Sequence, residues 1–168
     1  FYGMHLAHAG IALFMIGAGV VSTLEAERVV RLSPGESTEL AGYAFRLESV
    51  YPFTGPNYTA EEALIVVSRA GREVARLAPQ KRLYTVRQQA MTQTAFDAGM
   101  SRDLFAALGE SLPGGAWSVR VHYKPMVRWI WLGTALMALG GLLAITDRRY
   151  RLATARVRST PMQGAVGA

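Results

Sequence analysis

The sequence predicts a membrane protein in which two transmembrane α-helices flank a small antiparallel all-β exported domain, a barrel or sandwich with one short helix. Three observations predict it. Residues 1–24 contain no Lys, Arg, Asp or Glu, and neither does a second run, WIWLGTALMALGGLLAIT, from Trp129 to Thr146. Each run approaches the roughly 20 apolar residues that a ~30 Å hydrocarbon core requires. Between them, β-branched and aromatic residues recur in short runs separated by turn signals. The net charge of +6 over 168 residues is unevenly placed: residues 25–126 hold 12 Lys+Arg against 11 Asp+Glu, so the excess lies from Arg128 onward.

The first helix is assigned to residues 1–24. A cleaved signal peptide is a poor alternative, because no basic n-region precedes the apolar run and no A-x-A site follows it. The chain begins with Phe1 rather than Met, so a fragment or processed product is expected, with partners upstream. In residues 25–126, ERVVRL, YAFRLESVY, ALIVVSR, EVARLAP and WSVRVHY read as strands, with SPGES, TGPN and RAGRE as separators. Ala70-Gly71-Arg72 reads as a hairpin turn, since Gly supplies the positive φ that short loops need. One segment, SRDLFAALGE at 101–110, has helical spacing: Ser101 as N-cap, Leu104, Ala107 and Leu108 on one face, Gly109 as a stop. About five to seven strands with this helix fit a compact barrel or sandwich.

The second helix is assigned to 127–147 and a basic, disordered tail to 148–168. Arg148, Arg149, Arg151, Arg156 and Arg158 form a stop-transfer flank, which places the C-terminus in the cytoplasm and exports the middle domain. A nucleic-acid partner is excluded as an explanation of the charge, because the charge sits at a membrane edge. There is no cysteine, so neither disulfides nor thiol chemistry belong to this chain.

Candidate chemistry is sparse. Glu61 and Glu62 read as a solvated edge, and His122 lies in an expected strand. The remaining histidines, His5 and His8, stand inside the first apolar run. They are i and i+3, about 60° apart on one helical face with Ala12 and, more loosely, Met15. Gly3, Gly10, Gly17 and Gly19 keep other parts of that helix thin enough for close neighbours. An ionisable group at membrane depth is costly unless it faces a partner. Two readings stand on the residues alone: a neutral imidazole bonded to a neighbouring helix's carbonyl, or a functional ligand. His8 lies about 24 Å from Leu24 at 1.5 Å per residue, nearer the cytoplasmic face. A haem iron with axial imidazoles from two helices uses this kind of histidine, and one helix supplies only part of such a set.

Six stretches, in this order and spacing, closely resemble the C-terminal part of the CcmF family, the haem-lyase membrane subunits of bacterial cytochrome c maturation. They are GMHLAHAGIA (3–12), GPNYTA (55–60), QKRLYTV (80–86), SRDLFAALGE (101–110), GAWSVRVHYKPMVRWIWLG (115–133) and LMALGGLLAITDRRYR (136–151). The resemblance runs from Phe1 to Arg151, and HYKPMVRWIW is its most specific piece. It implies a part in attaching haem to the CxxCH motif of exported apocytochromes c. It also implies that this portion alone is inactive, since the family's tryptophan-rich haem-handling segment and exported histidines lie upstream.

In that family a b-type haem is held within the membrane by histidines of two transmembrane helices, one of them in an LAH-G motif. LAHAG places that axial ligand at His8, with the second on an upstream helix; His5 is then a packing residue or one that orients its neighbour. Lys124, Arg128, Trp129 and Trp131 read either as an aromatic belt with snorkelling cations or as a rim for the propionates and ring edge of haem. The implied cofactor is haem b, with quinol as a candidate electron donor. The implied partners are the remaining N-terminal helices, a haem chaperone, a thiol-handling maturation subunit, apocytochrome c and the lipid bilayer. The implied location is the bacterial inner membrane, multi-pass, with the middle domain periplasmic. The alternative is a non-redox, membrane-anchored β module that binds or braces partner proteins of an assembly complex.

Overall fold

The computed structural model describes residues 2–146. Phe1, the basic flank from Arg148 to Arg158 and the rest of the expected tail lie outside the described residues. The chain forms two compact units, one made of residues up to Ile16 and from Trp129 onward, the other running from Gly17 to Arg128.

Two helices, α1 (Tyr2–Leu24) and α2 (Val127–Thr146), are each long and apolar enough to cross a membrane. Within the helical unit they pack antiparallel along a glycine seam. A Cβ built on Gly10 would lie 2.7 Å from Gly133 O and 2.7 Å from Met137 N; one on Gly3 would lie 2.7 Å from Gly140 O. The converse holds: Gly133 faces Phe14 N and Gly10 O, and Gly140 faces Ala7 N and Gly3 O. Backbone therefore touches backbone wherever the glycines meet. This is the close approach by which apolar helices associate when no hydrophobic drive separates them from lipid. The repeat is one glycine per heptad on each helix, the spacing that keeps one face in register along a left-handed pair. Gly19, by contrast, has open space around it.

The other unit is an all-antiparallel sandwich of ten strands. They are β1 (Ala26–Leu32), β2 (Ser37–Leu40), β3 (Tyr43–Thr54), β4 (Tyr58–Arg69), β5 (Arg72–Leu77), β6 (Gln80–Tyr84), β7 (Gln89–Gln93), β8 (Ala95–Ala98), β9 (Arg102–Leu112) and β10 (Ala116–Pro125). One sheet has the order β1-β10-β9-β8; the other runs β2-β3-β4-β6-β7, with β5 also paired to β4. All five expected strand segments are strands, in β1, β3, β4, β5 and β10. The expected turn at Ala70-Gly71 is a two-residue hairpin with φ of 50° and 74°, and Ala41-Gly42 repeats it with 50° and 77°. Positive φ at both central residues gives these turns the twist of the strands they join.

The strand count exceeds the expected five to seven, and residues 101–110 are not helical. Ser101 lies in the turn before β9, and residues 102–110 belong to β9, between β10 and β8. Leu104, Ala106 and Leu108 are completely buried in the core, and this i, i+2, i+4 spacing is the strand period. Leu104 and Leu108 satisfy a helical period equally well, and Ala and Leu favour a helix locally; cross-strand pairing on both sides overrides that preference. Gly109 does not end a helix. It lies under Ser118, whose carbonyl oxygen would be 3.0 Å from an added Cβ, beside the register shift between Trp117 and Val119. Glycine in a strand commonly marks such a bulge.

The core lies between the sheets. Phe45, Leu47, Ile65, Val67 and Leu77 come from one, and Leu104, Leu108, Val119 and Val121 from the other. Full burial of each large side chain is worth about 1.5–3 kcal/mol, so the domain holds together without a disulfide. At the end where β1 begins and β10 ends, Tyr43 stacks on Tyr123 at 5.8 Å, and Arg69 and Arg102 lie over the Tyr43 ring. Burial lowers the Arg102 pKa, but its bond to Asp97 and contact with Tyr43 outweigh this and hold it above the ordinary value. Met126 N–H donates to Ser101 O at 3.1 Å, which ties the β8–β9 turn to the end of β10.

Candidate functional site

The seam on α1 is formed by Gly3, Ala7, Gly10 and Phe14. At 3.6 residues per turn, His5 and His8 project about 170° and 130° round the helix from the centre of that seam. Their face is therefore turned away from α2, and both histidines are exposed within the described residues. The feature that thins one side of α1 for α2 turns the histidine face the other way.

His8 is held by its own helix. Its Nδ1 lies 2.8 Å from the Met4 carbonyl oxygen. A carbonyl oxygen only accepts, so Nδ1 carries the proton. In the neutral ring the Nε2 lone pair is then left to face outward. A metal-bound histidine needs this arrangement, because a hydrogen bond from the second nitrogen fixes both tautomer and ring orientation. The donor is thus suited to an iron whose remaining ligands come from elsewhere. Among the described residues no group of three or more His, Cys, Asp or Glu is placed to hold a metal ion. The Met4 carbonyl was not foreseeable from residue type; the signal for it is the i−4 spacing alone.

The four rim residues divide between the two units, Lys124 and Arg128 in one and Trp129 and Trp131 in the other. On α2, Arg128 and Trp131 are i and i+3 and share a face; Trp129 is turned about 100° from Arg128. Trp131 is 70 % exposed, and Trp129 is half-buried. In the β unit, Arg128 donates to Ala98 O at 3.4 Å, and Lys124 lies 3.5 Å from Glu25.

His122 is in β10, as its sequence context predicts. Its Nδ1 is 3.7 Å from a Glu27 oxygen, and its ring meets Phe105 edge-on at 6.5 Å. Register places Glu27, His122, Phe105 and Phe96 in one row across the four strands. Arg120, 3.4 Å from Glu27, lies in the neighbouring row. A shallow groove of about 420 Å³ opens there, between Thr92 and Thr94 on one side and Gly109, Ser118 and His122 on the other.

Comparison with known proteins gives a consistent result. The family model described as the CcmF C-terminal beta-sandwich matches residues 23–125. The cytochrome c-type biogenesis protein CcmF of Pseudomonas aeruginosa is 54 % identical over 152 residues, covering 90 % of this chain and 23 % of that protein. Its counterpart in Escherichia coli is 43 % identical over 161 residues, covering 96 % of this chain and 25 % of that protein. A solved structure described as cytochrome c heme lyase CcmF superposes with a TM-score of 0.66 at 25 % identity, covering 83 % of this chain and 23 % of that one. The chain spans about a quarter of the length of the curated relatives it matches.

Proposed function

Because the chain belongs to the CcmF family of cytochrome c-type biogenesis proteins, as its C-terminal part, we propose that it supplies His8 as a transmembrane axial ligand to a b-type haem. In this reading the chain is one portion of the membrane haem lyase that joins haem to the CxxCH motif of apocytochromes c. α1 and α2 cross the bacterial inner membrane, and the β-sandwich faces the periplasm. The observation that carries the reading is the His8 ring: pinned through Nδ1 to Met4 O at 2.8 Å, exposed, and turned away from α2. The bond to Met4 leaves Nε2 available to a group from outside the described residues.

When bound, such a haem supplies a one-electron carrier, with quinol as the candidate donor. The chain's own residues do the positioning. The glycine seam fixes the rotation of α1, and that rotation aims His8; the Met4 carbonyl sets the tautomer. His5, about one turn nearer the N-terminus, flanks the ligand and packs. Arg128 and Trp131, sharing one face of α2, are the rim pair suited to a haem edge, a cation beside an indole. Lys124 is engaged by Glu25, and Trp129 lies towards the seam side of the helix. The haem chaperone, the thiol-handling subunit and apocytochrome c are the partners that this role requires.

The test is haem content in the purified full-length protein. His8→Ala is expected to remove most of the b-type haemochrome signal, His5→Ala to leave most of it, and added imidazole to restore part of it in His8→Ala. Full haem content in His8→Ala would end the assignment, and would favour the membrane-anchored β module that braces partners without a redox role.

A further inference from the structure

The end of the sandwich at which β1 begins and β10 ends also gathers three turns: Ala41-Gly42, Ala70-Gly71 and residues 99–101. The Ala70-Gly71 hairpin stands out by its charge. Arg69 and Arg72 flank it as direct register partners, so their side chains leave the sheet on the same face. Like charges set directly opposite each other destabilise a strand pair. Among the described residues, neither arginine has a carboxylate within 4 Å to offset this. Glu73, next along the chain, is engaged by Arg76 at 2.7 and 3.2 Å. Arg69 lies over the Tyr43 ring, 5.0 Å from its centroid, and donates from Nη1 to the Tyr43 hydroxyl at 3.0 Å. A guanidinium has five N–H donors, so that bond leaves four for a further acceptor.

The chain itself brings a membrane surface to this end. The apolar run of α1 ends at Leu24, and Ala26 is two residues further, at most about 7 Å. Gly17 to Leu24 and the first residues of α2 belong to the same compact unit as the sandwich. Ala26 is the register partner of Tyr123, whose ring stacks on Tyr43 at 5.8 Å. A second route starts from α2: Met126, one residue before it, donates its N–H to Ser101 O at 3.1 Å, and the adjoining Arg102 lies 5.5 Å over the same Tyr43 ring. A few short links therefore join each helix end to the arginine pair. Met100, in the turn held by the Met126 bond, is 65 % exposed. An apolar side chain among cationic ones is the composition that settles at a bilayer interface.

Position and charge together choose the ligand. The headgroup layer extends roughly 5–8 Å beyond the hydrocarbon core on each side, and phosphate is the anion it supplies. Guanidinium groups match phosphate in fork geometry. A headgroup without an ammonium adds no third cation to the two arginines. We infer that Arg69 and Arg72, opposed across the Ala70-Gly71 turn, clamp the phosphate of an anionic phospholipid of the membrane that α1 and α2 cross. The inference rests on that crossing and holds whether or not His8 binds iron.

The test titrates delipidated full-length protein in detergent with phosphatidylglycerol, phosphatidylcholine or inorganic phosphate, and reads the bound species by native mass spectrometry. Phosphatidylglycerol should bind more tightly than phosphatidylcholine. Arg72→Gln should weaken phosphatidylglycerol binding about fivefold and the double variant Arg69→Gln/Arg72→Gln roughly twenty-fivefold, while Arg72→Lys keeps most of it. Thermal unfolding of Arg72→Gln should match the parent protein, since Arg72 is exposed and its loss leaves the Arg69–Tyr43 contact in place. Haem content measured on the same samples reports the His8 assignment separately and should not change in Arg72→Gln. Undiminished phosphatidylglycerol binding in Arg72→Gln, equal affinity for the two lipids, or displacement of the lipid by an equal concentration of inorganic phosphate would overturn the proposal. So would a co-purifying protein that is lost in Arg72→Gln while lipid binding persists.

Discussion

Tyr51 and Glu62 stand opposite each other on β3 and β4, and the phenol donates a hydrogen bond to the carboxylate. That bond, with desolvation and the carboxylate's charge, holds the Tyr51 phenol above its ordinary value of 10.0. Only the neutral phenol can donate. The bond's contribution is therefore complete below the unfolded value and is lost as pH rises through the higher folded one. Tyr51→Phe should remove a late-ionising tyrosine from the tyrosinate absorbance titration and flatten the alkaline decline in stability; an unchanged titration would mean that the bond is not made in solution. The same carboxylate also accepts from Gln80, while Glu61 pairs across the ladder with Lys81. The sequence reading of both as one solvated edge treats alike two residues that alternate between sheet faces. What separates them is the register with β3 and β6, a long-range property. His5 and His8, in contrast, stand out in the sequence because their run holds no Lys, Arg, Asp or Glu.

At the scale of elements, the helix pair rests on four glycines. Valine at Gly10 would put its Cβ 2.7 Å from two backbone atoms of α2, and backbone cannot turn aside as a side chain does. Gly10→Val should cost about 1–3 kcal/mol and lower the unfolding temperature of the detergent-solubilised full-length protein. Gly141→Ala, with no atom within 4 Å of its added Cβ, should be neutral or gain ~0.5–1 kcal/mol from helix propensity. Equal losses at both sites would exclude the seam as the source of the effect. The seven-residue spacing of these glycines is visible in the sequence; their pairing with one another needs the second helix. The strands divide similarly. β1, β3, β4, β5 and β10 carry β-branched or aromatic runs and are legible. β7, with the residues QAMTQ all exposed, has no alternation to read, and β9 hides its period of two behind leucines that suit a helix.

At the scale of the molecule, the sandwich core draws on residues between Leu32 and Val121, with Ala26 and Tyr123 packed at its margin. Everything that closes the core is therefore encoded between the two helices. Residues 25–126 expressed alone should fold, unfolding cooperatively on heating and giving dispersed amide resonances. A molten spectrum would show that the helices are needed to complete the domain. The near-neutral balance of that segment is legible from charge counts alone, because net charge is a sum over the sequence.

Ala26 and Tyr123 are register partners in an antiparallel pair, and such partners have Cα atoms only about 5 Å apart. The chain leaves α1 and returns to α2 at nearly the same place, after an excursion through ten strands. In topological terms the sandwich is a cassette spliced into the loop of a helical hairpin. A gene that lost or gained the cassette would still encode two helices able to meet through their glycines, so membrane portion and sandwich are free to change at different rates. Such neighbouring ends are what makes domain insertion tolerable.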